Sequence, residues 1–232
     1  ASCGTTAGVA GLTNCGSGSE SCCTSNLVPG GTYYVGYNGV DLTDNTHQAT
    51  VSDFRLDKYE VTVGRFRQFV AAWNGGWRPA AGAGKHTHLN GGSGLAATGG
   101  GIEPGWDTSW ASSVAPTDGN LSCSQSGYGT WTSSAGANEK RPVDCATWFE
   151  SYAFCIWDGG FLASEAEWNY AAAGGSEQRY YPWSSPASST TIDGTYAVYN
   201  TTSTADVGSK ALGAGRWGQL DLAGNVWEWN LD

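Results

Sequence analysis

The chain alternates between short amphipathic stretches and long tracts without period. Apolar and polar positions alternate over Thr32–Tyr37 and again over Ala49–Leu56, as in strands with one buried face, and the turn residues Asn38 and Gly39 lie between them. A first helix is predicted after Thr62, a suitable cap, with Phe66, Phe69, Val70 and Trp73 on one face and Gly75 as its stop. A second is predicted over residues 145–158, capped by Asp144, with Trp148, Tyr152 and either Cys155 or Ile156 turned inward. A third fits 165–173: Ser164 and Glu167 form a capping box, and Gly174 and Gly175 end the run. Residues 74–140 show little period. A compact domain seldom carries so long an irregular stretch unless it is functional or tied down, and Trp106, Trp110, Trp131 and Cys123 are the candidate ties. Loops and short strands are expected from Tyr180 onward, and no repeat or linker divides the chain.

Composition agrees with a loop-rich fold held by large aromatic anchors. Of 232 residues, 35 are Gly, 12 Trp and 11 Tyr, while only 14% are charged, so a helical bundle is excluded. The formal net charge of -10 leaves no basic patch to neutralise phosphates, which argues against nucleic acid as a partner. No run of about 18 apolar residues is present, so no membrane span is expected.

Cysteines stand at 3, 15, 22, 23, 123, 145 and 155. Four of them fall in a Gly/Ser/Thr-rich segment that could not pack a core alone. Disulfides formed in an oxidising compartment are the natural explanation; a zinc site competes poorly because no Cys-x-x-Cys pair is present. The chain starts at Ala1 and contains no Met, as a mature secreted product would, so a secreted, extracellular or periplasmic location is expected. The total of seven leaves at least one thiol without a partner inside the chain. The connectivity itself stays open.

Several segments, in order, resemble the sulfatase-modifying-factor domain, the domain of formylglycine-generating enzymes. They are Phe54–Thr62 with Phe66 and Phe69; Arg141–Val143 with Trp148, Ala153 and Cys155–Trp157; Leu162–Gly175; Tyr181–Trp183; and Gly218–Trp229, which ends Gly224-Asn225-Val226-Trp227-Glu228-Trp229. The resemblance implies an irregular α+β fold related to C-type lectins, with little regular secondary structure. It covers residues 28–232 and leaves 1–27 as a cysteine-rich, disulfide-stapled arm. Trp157, Trp168, Trp183, Trp227 and Trp229 read first as core anchors. Glu60, between Tyr59 and Val61, reads as a buried, hydrogen-bonded carboxylate in a structural role, or else as the exposed phase of a strand.

The resemblance also implies a structural Ca²⁺. Its ligands would be the side chains of Asp221 and Glu228 and the carbonyl oxygens of Gly224 and Val226, hard oxygen donors that suit this ion. A formylglycine-generating oxidase works through copper held by two cysteines near a Gly-Gly-Ser segment some tens of residues after the Trp-Glu-Trp motif. No cysteine here maps onto that pair, and Cu(I) wants two thiolates. The resemblance further places the disulfide partner of Cys155 near the domain's C-terminus, beyond Asp232, and puts Ala172 where the family has another cysteine. A truncated or cleaved domain is therefore expected, completed by a C-terminal segment or a second chain that pairs with Cys155.

Two functions follow as expectations. The first is a secreted, non-catalytic domain with a binding or structural role, its long 74–140 loops forming the binding surface. The second is the N-terminal portion of a copper-dependent oxidase acting on sulfatase cysteines, its cysteine pair lying past residue 232. A sulfoxide synthase with a three-histidine iron site is the weakest option, because His47, His86 and His88 lack that pattern. His86 and His88 read as solvated loop histidines. The triplets at Asn120 and Asn200 match the glycosylation pattern but are common by chance.

Overall fold

The computed structural model describes residues 2–4, 8–16, 18, 20–96, 100–123 and 129–232. Four short strands open the fold: β1 (Ser25–Val28), β2 (Gly31–Tyr34), β3 (Gln48–Val51) and β4 (Phe54–Asp57). They form two separate antiparallel ribbons, β1 with β4 and β2 with β3, the latter in a register that sets Tyr33 opposite Ala49. The two predicted strands therefore do pair. The second one is broken at Ser52 and Asp53, because its two ends serve different ribbons.

Helix α1 (Val63–Asn74) forms as its pattern requires. The Thr62 side chain accepts the Arg65 amide, and Val63, Phe66, Phe69 and Trp73 are buried. Helix α2 (Asp118–Leu121) is a single turn in the long irregular region. Helix α3 (Trp148–Asp158) starts later than the sequence suggested, and its cap is Thr147, which forms a capping box with Glu150. Asp144 is occupied elsewhere: its carboxylate accepts the amide and hydroxyl of Thr130 at 3.0 and 2.9 Å. Within α3 the buried positions are Glu150, Tyr152, Ala153 and Phe154, while Cys155 and Ile156 are only half-buried. Helix α4 (Glu165–Ala172) carries the expected Ser164–Glu167 capping box.

The main core lies between α1, α3 and the irregular 106–131 stretch. Phe66, Phe69, Trp106, Leu121, Trp131, Tyr152 and Phe154 are nearly inaccessible there. Phe66 stacks on Phe154 with centroids 5.5 Å apart, and Trp106 meets Tyr152 edge-on at 5.7 Å. The expected ties of the long loop hold: Trp106 and Trp131 are buried, Trp110 packs on the core, and Cys123 is bonded to Cys145. A second cluster joins both ribbons to α4 through Val28, Tyr33, Phe54 and Tyr170.

The cysteine-rich segment packs on the same body. Cys3 pairs with Cys23 and Cys15 with Cys22, and the latter two sit in a third cluster with Tyr59, Val207 and Leu220. Cys155 is the free cysteine among the described residues. Arg65, almost wholly buried on α1, links these parts. It donates to Asp57 Oδ2 at 2.7 Å, Asp158 Oδ2 at 2.7 Å, Ser2 Oγ at 3.0 Å and the Cys22 carbonyl at 3.1 Å. Burial opposes the ionised form of Asp158, but Arg65 and the Ser2 amide help to hold its pKa down at about 2.

Removing the Arg65 charge leaves two carboxylates without their counter-ion. Arg65→Met is expected to cost about 3–5 kcal/mol in urea unfolding, the range for breaking a buried pair from one side. A loss below about 1 kcal/mol would mean that these bonds do not hold the segments together.

Candidate functional site

The sequence motif at 218–230 builds a tightly coiled loop. Asp221, Gly224 and Asn225 all take positive φ, at 62°, 99° and 61°. Gly224 is obligatory, since a Cβ there would lie 2.5 Å from the Val198 carbonyl oxygen. The loop is fixed at both ends. The Leu220 amide donates to the Lys58 carbonyl at 2.8 Å, and the Leu231 amide to the Ala163 carbonyl at 2.9 Å.

Asn225 organises the middle of the loop. Its amide donates to Val198 O at 2.9 Å, its side-chain oxygen accepts the Ala205 amide at 3.0 Å, and its Nδ2 donates to Glu60 Oε2 at 2.6 Å. The Val226 amide donates to Glu60 Oε1 at 3.3 Å. Glu60 is thus a buried, hydrogen-bonded carboxylate, as one of the two sequence readings had it. What the sequence did not show is its target, the backbone of a loop some 165 residues away.

Three carboxylates crowd this loop: Glu60, Asp221 and Glu228. Burial pushes Glu60 well above the ordinary carboxylate range, and the charges of Asp221 and Glu228 add to it; the Asn225 and Val226 donors offset only part. Burial also raises Asp221, while the Gly208 amide, 2.5 Å from Oδ2, and Lys210 pull the other way. Crowding by protein atoms lifts Glu228 to about 7, against the Trp168 indole N–H that donates to it at 3.1 Å. Glu228 is open to solvent as a residue, so water moderates that rise. None of the three carboxylates has a salt bridge to a Lys, Arg or His among the described residues.

A concentration of negative charge without a counter-ion is what a hard divalent cation neutralises, so the donor set fits Ca²⁺ in kind. The four expected ligand residues, Asp221, Gly224, Val226 and Glu228, do lie on one coiled loop. The three carboxylates do not all converge, however. Among the described residues, the one set of three or more His, Cys, Asp or Glu ligand atoms within 4.8 Å of one another is Cys123, Asp144 and Cys145, and its two cysteines form a disulfide. Glu60 supports the loop through the Asn225 side chain and the Val226 amide.

The loop borders a cavity of about 1530 Å³ whose walls include Phe66, Phe154, Cys155, Trp168, Asp221 and Glu228. Burial pushes the Cys155 thiol up to about 12, so it is not a thiolate at neutral pH. Trp227 and Trp229 correct the core-anchor reading: Trp227 is 101% exposed and Trp229 53%. Asn225 faces inward to Glu60 while the short coil turns the two indoles out; of the two, the Trp229 N–H is held, by the Ala146 carbonyl at 2.9 Å. Trp157, Trp168 and Trp183 are half-buried.

One histidine departs from expectation. His86 is fully buried between Glu103 and Glu167, whereas His47 and His88 are exposed residues, His88 with its ring against Glu167. The nearest sequence signal was Glu103 itself, a lone acidic residue in a neutral stretch that must find a partner if buried.

Comparison with known proteins agrees with this architecture. Residues 16–232 match the sulfatase-modifying factor enzyme 1-like domain, and the chain belongs to that family. It is 29% identical over 235 residues to the formylglycine-generating enzyme of Thermomonospora curvata, covering 88% of this chain and 70% of that protein. It is 28% identical over 221 residues to the hercynine oxygenase of Mycolicibacterium smegmatis, covering 89% of this chain and 45% of that protein. The fold is similar to that of PvdO from Pseudomonas aeruginosa, with a TM-score of 0.52 at 17% identity over 99% of this chain and 76% of that one.

Because Asn225 holds both Glu60 and the loop, Asn225→Ala is expected to destabilise the protein by about 2–4 kcal/mol. It would strip a donor from a buried carboxylate and set an alanine at positive φ. Chemical denaturation measures this; a change under about 0.5 kcal/mol, the level of an ordinary surface substitution, would remove Asn225 from its organising role.

Proposed function

We propose that this chain is a secreted, non-catalytic member of its family, serving as a binding or structural domain and holding a structural Ca²⁺. The carrying observation is the state of its thiols. Six cysteines are paired, and the seventh, Cys155, is half-buried at the cavity wall with its thiol pKa pushed up to about 12. Copper chemistry of the formylglycine type needs two thiolates, and the described residues supply none. Three disulfides support an oxidising compartment. No helix among the described residues is long and apolar enough to cross a membrane.

The calcium would sit at Asp221 and Glu228 with the carbonyl oxygens of Gly224 and Val226. Bound there, it would offset the burial that is the main cause of the raised carboxylate pKa values, and so hold the coil in place. The sign of the pH effect follows. All three carboxylates are raised, so their ionisation destabilises the ion-free protein at high pH, and the penalty is relieved as pH falls. At a Ca²⁺ concentration of about 100 times Kd the gain is about 2.7 kcal/mol, or roughly 5–10 °C in Tm. This gain is expected near pH 8, to shrink near pH 5, and to vanish in Asp221→Asn. An equal shift in that variant would place the ion elsewhere.

A second reading is favoured by one feature. Cys155 lines the large cavity beside the exposed Trp227 and Trp229, where further polypeptide bearing a cysteine could pack. On that reading the chain is part of a copper-dependent oxidase acting on sulfatase cysteines, and the matched relative from Thermomonospora curvata is a formylglycine-generating enzyme.

Cu(I) titration against a competing chelator, with an oxygen-consumption assay on a cysteine-containing peptide, separates the two. The non-catalytic reading expects no stoichiometric copper and no turnover. One tightly bound Cu(I) per chain with peptide-dependent oxygen uptake, in this chain or in a longer native form, would overturn it.

A further inference from the structure

Outside the acidic loop, the largest concentration of buried titratable groups lies where segment 86–96 crosses the start of α4. His86 is 0% exposed, Glu103 7% and Glu167 3%. His86 Nδ1 stands 2.8 Å from Glu103 Oε2, and its Nε2 stands 3.0 Å from Glu167 Oε2. The His86 backbone amide donates to the other oxygen of Glu103. His88 Nε2 lies 3.0 Å from Glu167 Oε1, so a single carboxylate is gripped by two imidazoles. Glu167 also accepts the Ser164 amide and hydroxyl, both at 2.9 Å, which places it at the cap of α4. Phe161 lies against both rings, 4.4 Å from His86 and 5.0 Å from His88, and provides no charge. From α3, Tyr152 senses Glu103.

A neutral imidazole carries one N–H. With both ring nitrogens against carboxylate oxygens, a neutral His86 would aim a lone pair at one of them in a buried site. Only the imidazolium presents an N–H and a positive charge to both carboxylates. The Nε2 side is not aligned as a hydrogen bond, so the contact with Glu167 is mainly Coulombic. A divalent metal is not favoured, because no three of these ligand atoms converge within 4.8 Å.

We propose that Glu103, His86, Glu167 and His88 form a proton-operated clasp: protonated His86 fastens segment 86–96 to the cap of α4, and loss of that proton releases the segment. The remaining bonds of the segment are largely internal. Leu89, Gly92 and Gly94 bond among neighbours, Asn90 Nδ2 donates to the Gly94 carbonyl, and the Glu103 amide donates to Leu95. Most of its residues are exposed. Little else holds it to α4.

Burial alone would lower the His86 pKa, but Glu167 and Glu103 outweigh it and the net shift is upward. The contribution of His86 is therefore complete below its unfolded value of about 6.5 and is lost as pH rises through the higher folded value. Glu167 is shifted down, against burial, chiefly by His86, so its contribution is present above about 4.5 and is lost as pH falls below that. The clasp is closed between these limits and opens on either side.

Hydrogen exchange of peptides covering 86–96, corrected for intrinsic rates, tests this together with an NMR titration of the three histidines. From about pH 6 to about pH 9 the segment is expected to lose about tenfold in protection, the equivalent of one pKa unit, while α1 does not change. His86 is expected to titrate above the ordinary histidine value of about 6.5. Glu103→Gln is expected to lower the His86 pKa and to move the loss of protection to lower pH. Protection independent of pH, or a His86 that titrates below about 6.5, would make it an ordinary neutral core histidine and overturn the proposal. A change in protection on adding Zn²⁺ or EDTA to the wild-type protein near pH 7 would also overturn it, in favour of a metal site.

Discussion

The buried guanidinium of Arg65 is the constraint on which the remaining structure leans. A domain with so little regular secondary structure cannot rely on ladders of backbone bonds to fix its segments. Arg65 offers five donors in a rigid plane, and from α1 that plane meets three other segments of chain: the N-terminal arm at Ser2 and Cys22, β4 at Asp57, and the end of α3 at Asp158. Burying one charge between two opposite charges is not a source of much net stability. Its effect is specificity, because every alternative packing strands a charge in the interior.

The same logic recurs across the fold. Glu60 holds the 221–228 coil through Asn225 and Val226, Asp144 holds Thr130, and Glu167 caps α4 while facing His86 and His88. In each case a buried or half-buried carboxylate serves as a fixed acceptor for irregular backbone or a side chain. Loop-rich folds need such acceptors, since an unpaired buried amide costs about 1–3 kcal/mol. The acidic composition is in part this internal framework.

α4 joins the two charged regions. Glu167 faces the histidines on one side, and its neighbour Trp168 donates to Glu228 on the other. The first turn of one short helix therefore positions both the 86–96 segment and the loop proposed to bind calcium. Asp221 and Glu228 both stand within the motif itself, and α4 holds one of them, Glu228, through Trp168.

Much of the local structure was legible. The spacing of Phe66, Phe69 and Trp73 after Thr62 defined α1, and Ser164 with Glu167 defined the start of α4, because capping and amphipathic period are properties of neighbouring residues. The motifs named the family and its fold for the same reason. Where two nearby residues competed for one role, sequence could not choose. Asp144 and Thr147 are both good caps, and Thr147 serves because Asp144 is drawn away by Thr130. The outward Trp227 and Trp229 and the inward His86 were misjudged because hydrophobicity and charge give the average cost of burial, while the actual site depends on partners distant in sequence. The chain by itself determined the periods and caps of its longer helices and the motif on which the calcium proposal rests. The tertiary structure alone decided which carboxylates face which distant donors, since these pairings span up to 166 residues and depend on where the backbone brings buried charges together.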